Sequence, residues 1–365
     1  LPITEDPLVI LCNKRLKNNN FKLTTIIPAG KEDDYLAYIL KNNNINFFRG
    51  NKYNVLKRFK EFTKDLDEEQ VIVRVTADNP FVDSTFINKL VKIYTLHNLK
   101  YLSAHDNIKN LPYGLQAEIF KIKYLRESVS NKKNVTEHVT TEIRKKYLNI
   151  YLKNYSGLST YKLSIDTVED LERVKKIFEY YKNSPYSNLV KILKDYKDKK
   201  NKNIKMSKVI LGTVQLGKKY FIKQININQK RANKIMNVAL KEKINSFDTA
   251  RDYGLSEEFI GNFKIKQKKQ MFIFSKLHNL DNLKNIKKED LISRINFSIF
   301  ESLNKLKSSS LEIFFVHNPK NLFMSKVLYS HLCRFLDCGI FKNLGVSIYN
   351  IQEFYKLKKY KKVKC

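Results

Sequence analysis

No stretch of this sequence approaches the roughly 18–20 consecutive apolar residues that a membrane-spanning helix requires, so helical membrane proteins are excluded first. The opening residues, Leu1-Pro2-Ile3-Thr4-Glu5-Asp6, have neither the basic start nor the apolar run of a secretory leader. They also lack an initiator Met, and the expectation is a chain that begins inside a longer protein or after processing. Cysteine is scarce. Cys12, Cys333, Cys338 and Cys365 form no CxxC pair, and no His/Cys group has zinc spacing, which argues against a structural zinc site. Buried, reduced thiols in a cytoplasmic protein are expected instead. Acidic residues are the other shortage: 36 Asp and Glu face 69 Lys and Arg, for a net charge of +33. Such a field suits nucleic acid or an anionic membrane surface. However, the lysines are spread over most helix faces and Asn and Ile are also abundant, so a general composition bias accounts for the charge. With no nucleic-acid motif present, neither nucleic acid nor membrane is expected as a partner. The field still favours encounters with anionic nucleotides.

What is present is strand–helix alternation, and 365 residues suit two domains. In the first half, strands are predicted over 22–28, 45–50 and 70–76, with helices over 34–40, 55–63 and from Thr85. This pattern argues a doubly wound sheet, in which ligands sit outside the carboxyl ends of the strands. Asp78 falls at such an end, and Asp166 ends a later strand. Two such carboxylates brought together could hold Mg²⁺, which takes one or two carboxylates plus substrate phosphates. Asp170, in Thr167-Val168-Glu169-Asp170, fits a capping box, and Asp83 before Ser84 reads as a helix start. Residues 191–205 are dominated by Lys, Asp and Asn, and a charged linker at 198–205 is expected to separate domains 1–197 and 206–365.

Five motifs occur in register: Arg49-Gly50 with Val55-Leu56-Lys57-Arg58-Phe59, Arg74-Val75-Thr76-Ala77-Asp78-Asn79-Pro80, Pro112-Tyr113-Gly114-Leu115-Gln116-Ala117-Glu118, Glu137-His138-Val139-Thr140, and Leu163-Ser164-Ile165-Asp166-Thr167-Val168-Glu169-Asp170. Together they resemble the cytidylyltransferases that make CMP-activated acidic sugars, specifically the spore-coat-polysaccharide branch, with a nucleotide-diphospho-sugar-transferase-like sheet. The resemblance covers about residues 1–180. It implies attack of a sugar hydroxyl on the α-phosphate of CTP, with Mg²⁺ held by Asp78 and Asp166. It makes Arg49 and Arg74 candidates for nucleotide contacts, and Glu118 and His138 candidates for the sugar side; His138 could equally be structural. The family's first strand and phosphate-wrapping loop have no counterpart here.

In the second half, three apolar runs end in ionisable side chains: Asp248, Lys276 and His317. A loop after the first of them carries Tyr253. Helix-like segments of about 15–25 residues separate the strands, the spacing of a parallel strand–helix barrel, whose active sites lie at the C-terminal strand ends. A fifth strand ends at Ser347. Tyr is a weak acid, and a nearby ammonium stabilises its phenolate. Asp248 can hold Lys276, and His317 can donate to a carbonyl oxygen. The set suits protonation of an alkoxide as it develops during hydride transfer.

These residues, with Gly212-Thr213, Thr249-Ala250, Gly254, Ser256-Glu257, Ser275, Asn318-Pro319 and Gly345-Val346-Ser347, resemble the aldo/keto reductases over 206–365. The resemblance implies NADPH, Tyr253 as proton donor tuned by Lys276 and Asp248, His317 as carbonyl-orienting group, Gly212 and Thr213 at the cofactor, and Ser347 at the nicotinamide carboxamide. Ile348 stands where many members have Asn. Only the first five strand–helix units of the TIM-type barrel are present, so a fragment of a longer fusion protein is expected. The leading expectation is therefore a bifunctional enzyme of surface polysaccharide or glycan synthesis, acting on CTP, an acidic sugar and a sugar carbonyl compound, with a homo-oligomer allowed. The alternative is a non-catalytic nucleotide- or glycan-binding protein built from two degenerate folds.

Overall fold

The computed structural model describes residues 2–3, 5–109, 111–128, 139–147, 153–154, 161–181, 189, 193, 205–218, 227–267, 270–280, 283 and 286–364. It divides into two compact units, Pro7–Asp198, and Lys199–Cys365 together with Leu1–Asp6. In the latter, Lys307 Nζ donates to the Glu5 carbonyl at 3.0 Å.

The first unit is mixed α/β. Strands β1 (Thr25–Pro28) and β2 (Phe47–Gly50) pair in parallel. Strand β3 (Val71–Arg74) pairs antiparallel with β6 (Glu118–Lys121), which also pairs antiparallel with β4 (Tyr101–Ser103). A two-residue pair, β5 (Ile108–Lys109) with β7 (Lys153–Asn154), completes the described strands. Two apolar cores hold these pieces. One packs Leu56, Tyr101, Phe120, Leu125 and Ile143, and the other packs Ile10, Ile27, Ile39 and Leu40. The apolar run at Leu8 becomes a helix, Leu8–Leu16, that buries Ile10, Leu11 and Cys12. Burial pushes the Cys12 thiol up to about 12. Cys338, by contrast, is exposed, so the expectation of uniformly buried thiols does not hold.

Short polar side chains start the helices. Asp83 accepts from Phe86 N–H at 2.8 Å and opens Ser84–Leu96, while Asn54, Asn228, Ser325 and Asn350 cap later helices in the same way. Asp170 accepts from the N–H groups of Asp166 and Thr167 at 3.1 Å each, and Thr167 Oγ1 accepts in turn from Asp170 N–H at 3.2 Å, the reciprocal arrangement of a capping box. Ser256, a residue type that suits an N-cap, is instead the first residue of its helix, Ser256–Lys264, with its hydroxyl bonded to Thr213.

The second unit is a parallel sheet, β8 (Ile210–Gly212), β9 (Ser246–Asp248), β10 (Phe272–Lys276), β11 (Leu311–Val316) and β12 (Phe341–Val346), whose spatial order equals the chain order. Five parallel strands joined by helices form the first part of a TIM-type barrel. The register pairs Gly212 with Asp248, Asp248 with Phe274, Lys276 with Phe315, and Val316 with Val346, so the strands end at one edge. Phe247, Phe314, Phe341 and Leu344 are fully buried, as are Ile295, Ile299 and Leu303 of helix Lys288–Lys305. Among the described residues no helix is long and apolar enough to cross a membrane.

Lys264 ends helix Ser256–Lys264, and its enclosed ammonium donates to Ser308 Oγ. Burial lowers its pKa to about 8. Between that value and the ordinary ~10.5 of lysine, the unfolded chain binds a proton that the fold does not, so this group makes stability rise with pH through that window. Below pH 8 the cost of the buried charge is present in full. Lys264→Met should raise the melting temperature at pH 7 by about 2–4 °C, and the gain should shrink as melts are recorded from pH 8 to pH 10.5.

Candidate active sites

At the C-terminal edge of the parallel sheet the structure brings Asp248, Tyr253, Lys276 and His317 together. Lys276 is 7% exposed, and its Nζ donates to Asp248 Oδ1 at 2.5 Å and to the Thr249 carbonyl at 2.9 Å. A buried ammonium is costly without such partners. The same Nζ lies 5.2 Å from the Tyr253 ring centroid and 5.8 Å from that of Phe315, where ring quadrupoles favour a cation. Tyr253 meets His317 edge-on, centroids 6.0 Å apart at 79°.

The backbone beneath this cluster is fixed by buried hydroxyls. Thr213 donates to the Asp248 carbonyl through N–H at 3.0 Å and through Oγ1 at 2.8 Å. Ser256 Oγ lies 2.8 Å from Thr213 Oγ1 and 3.0 Å from Thr249 Oγ1, and all three residues are fully buried. Ser275 Oγ donates to Glu257 Oε1 at 2.6 Å, and burial raises that carboxyl above the usual range. Gly212 and Ser347 sit at the ends of β8 and β12. A Cβ added to Gly212 would meet no atom within 4 Å, so this strand end opens onto free space.

Two side chains escaped the sequence reading. Asp252 Oδ1 pairs with His278 Nδ1, and Asp252 Oδ2 accepts from Asn279 N–H at 3.1 Å and faces His317 Nδ1 at 3.4 Å. Burial alone would raise its pKa, but the bonds from His317, Asn279 and His278 hold it down at about 2. Asp252 thus ties a histidine of the cluster to one outside it. The available signal was position: Asp252 precedes Tyr253, and His278 lies two residues beyond Lys276.

In the first unit, Ile165 N–H donates to the Asp78 carbonyl at 2.9 Å, which sets the two expected metal-binding stretches side by side. Asp78 Oδ1 is buried with no hydrogen-bond partner. Asp166 pairs with Lys162 at 2.8 Å, and Lys162 reaches Asp170 at 2.7 Å. No third His, Cys, Asp or Glu joins a metal-holding group among the described residues. Gly114, at φ +102°, lets the Pro112–Glu118 motif press on the second stretch, since a Cβ there would lie 2.2 Å from Ser164 N. Arg74 forms an ion pair with Glu118, whose Oε1 also accepts from Tyr101 Oη at 2.7 Å and from Thr140 Oγ1. Arg49 donates to Asp34 Oδ1 at 2.9 Å and to the Gly30 carbonyl at 2.6 Å. His138 lies outside the described residues.

The fold and these two sites define a two-part α/β protein with a nucleotidyltransferase-type and a reductase-type half. Residues 2–209 match the sequence model of the cytidylyltransferase family, and the chain belongs to that family; residues 208–365 match the aldo/keto reductase family, so the two are fused. An uncharacterized protein of Methanocaldococcus jannaschii is 32% identical over 178 residues, covering 46% of this chain and 71% of that protein. The spore coat polysaccharide biosynthesis protein SpsF of Bacillus subtilis is 27% identical over 173 residues, covering 42% of this chain and 66% of SpsF. A solved cytidylyltransferase from Leptospira borgpetersenii covers 53% of this chain and 86% of its own, at 25% identity and a TM-score of 0.47. Solved aldo-keto reductases are spanned for 51% to 59% of their length.

The loop that carries Tyr253 is seated on Gly217, where a Cβ would lie 1.7 Å from the Tyr253 carbonyl and 2.5 Å from Ser256 N. Gly217→Ala must therefore move backbone, and a loss of about 1–3 kcal/mol is expected. Melting curves should show it, with Gly212→Ala, which meets nothing, as the near-neutral comparison.

Proposed function

We propose that the chain is a bifunctional sugar-pathway enzyme of surface polysaccharide or glycan synthesis, with CTP-dependent cytidylyl transfer to an acidic sugar in residues 1–197 and NADPH-dependent carbonyl reduction in residues 206–365. The observation that carries the reductase half is the buried Lys276 ammonium, held by Asp248 and set over the Tyr253 ring. Gly212 and Ser347 would hold NADPH, which would supply the hydride. As hydride reaches the carbonyl carbon and charge develops on oxygen, the Tyr253 hydroxyl gives its proton to that oxygen. Lys276 stabilises the phenolate left behind, and Asp248 keeps Lys276 charged and aimed. His317, steadied at Nδ1 by Asp252, orients the carbonyl through its other ring nitrogen. Thr213, wholly buried, acts through the Asp248 backbone rather than on the cofactor.

For the cytidylyltransferase half, the orphaned Asp78 Oδ1 and the neighbouring Asp166 fit Mg²⁺ and would hold it. The ion neutralises charge on the CTP phosphates. Arg74, held by Glu118, and Arg49, held by Asp34, offer further cationic contacts to the nucleotide, and Glu118 and His138 are assigned to the sugar side. The likeness to SpsF, whose name places it in spore coat polysaccharide biosynthesis, supports the pathway.

Tyr253→Phe should reduce carbonyl-dependent NADPH oxidation by about 10²–10⁴-fold and leave CTP turnover intact; unchanged oxidation would refute the assignment. Asp78→Asn and Asp166→Asn should each lower Mg²⁺-dependent pyrophosphate release from CTP by about a hundredfold, with NADPH oxidation unaffected.

A further inference from the structure

Beside the tetrad the second unit holds a cavity of about 480 Å³ lined by Arg251, His278, Asn279, Leu280, Arg294, Phe297 and Ser298. Its charged lining is cationic. Arg294 projects from helix Lys288–Lys305 and has no carboxylate within ion-pair distance among the described residues. Among the described residues Arg251 makes one ion pair, a long contact of 3.9 Å to Glu301, a carboxylate that also serves Lys305 at 3.7 Å, and it also acts electrostatically on the buried Glu257. Asp252 is an ionised carboxylate bonded to His278, Asn279 N–H and His317, and it is not among the residues that line the cavity. Two arginines line this cavity, and the planar donor fork of a guanidinium matches a carboxylate or phosphate. Phe297 and Leu280 supply an apolar wall of the kind that faces a carbon skeleton. His278 belongs to both places: it lines the cavity and shares Asp252 with His317, so the cavity adjoins the end of the carbonyl site.

We infer that this cavity takes the anionic group, a carboxylate or a phosphate, of the carbonyl compound reduced at the tetrad. The inference rests on the reductase reading and names the substrate class of that site. Arg251 and Arg294 grip the oxyanion, and the carbonyl carbon then lies toward Tyr253 and His317. The reductase half would thereby share a preference for acidic compounds with the acidic-sugar chemistry assigned to the other half.

Binding to the full chain, measured by titration calorimetry without NADPH, tests this independently of turnover. Glucuronate is the carboxylate probe, glucose 6-phosphate the phosphate probe and glucose the neutral reference. At least one anion should bind about tenfold or more tighter than glucose, and the arm that does so identifies the group. Arg294→Glu, an exposed substitution that leaves the fold intact, should abolish the preference, and Arg251→Gln should weaken it. Equal binding of all three probes, or an anion preference that survives Arg294→Glu, would overturn the proposal. An anion preference lost in Arg294→Glu, combined with no carbonyl reduction by the wild-type chain, would instead overturn the reductase reading and leave an anion site.

Discussion

The contact between Lys276 and Asp248 is the constraint on which the reductase half depends. A lysine ammonium at 7% exposure is tolerable only because a carboxylate and a carbonyl meet it at 2.5 and 2.9 Å. Those two acceptors belong to the end of β9, and the lysine belongs to the end of β10, so the pair also ties adjacent strands together. The same geometry places the charge over the Tyr253 ring. Structural necessity and the proposed chemistry thus coincide in one side chain, and the buried hydroxyls of Thr213, Thr249 and Ser256 hold the backbone beneath it.

The first unit solves a similar problem with less burial. Its two acidic stretches lie side by side through a backbone bond between Ile165 and Asp78, and Gly114 lets a third motif close upon them. Lys162 bridges Asp166 and Asp170, while Asp170 itself is spent on the cap of helix Val168–Tyr181. Of the four carboxylates in these stretches, Asp78, Asp166, Glu169 and Asp170, Asp78 alone keeps a buried oxygen without a partner.

Strand ends were the legible part of this sequence. Apolar runs that stop at Asp248, Lys276 and His317 reveal both strand and site, because a buried parallel strand is a short uninterrupted apolar run and its end is where polarity returns. The antiparallel insertion of β6 between β3 and β4 was not legible, since an apolar run carries no direction. Asp252 and His278 were missed because their partnership is tertiary: one follows β9 and the other β10, and nothing local marks them as neighbours. Gly217 was missed for the same reason, its role being to leave room for a carbonyl some 36 positions onward. Ser256 had the composition of a helix cap, and a buried partner on β8's loop claimed its hydroxyl instead.

The strict agreement between spatial and chain order in the five-stranded sheet has a consequence for assembly during translation. Each strand from β9 onward pairs with the strand one helix earlier. No pairing inside this sheet waits for a distant segment, so loop-closure costs stay small and uniform. As the chain leaves the ribosome, every new strand meets a template already laid down. The growing edge then advances by a single strand at a time, while the outer edge of β8 has no strand partner among the described residues.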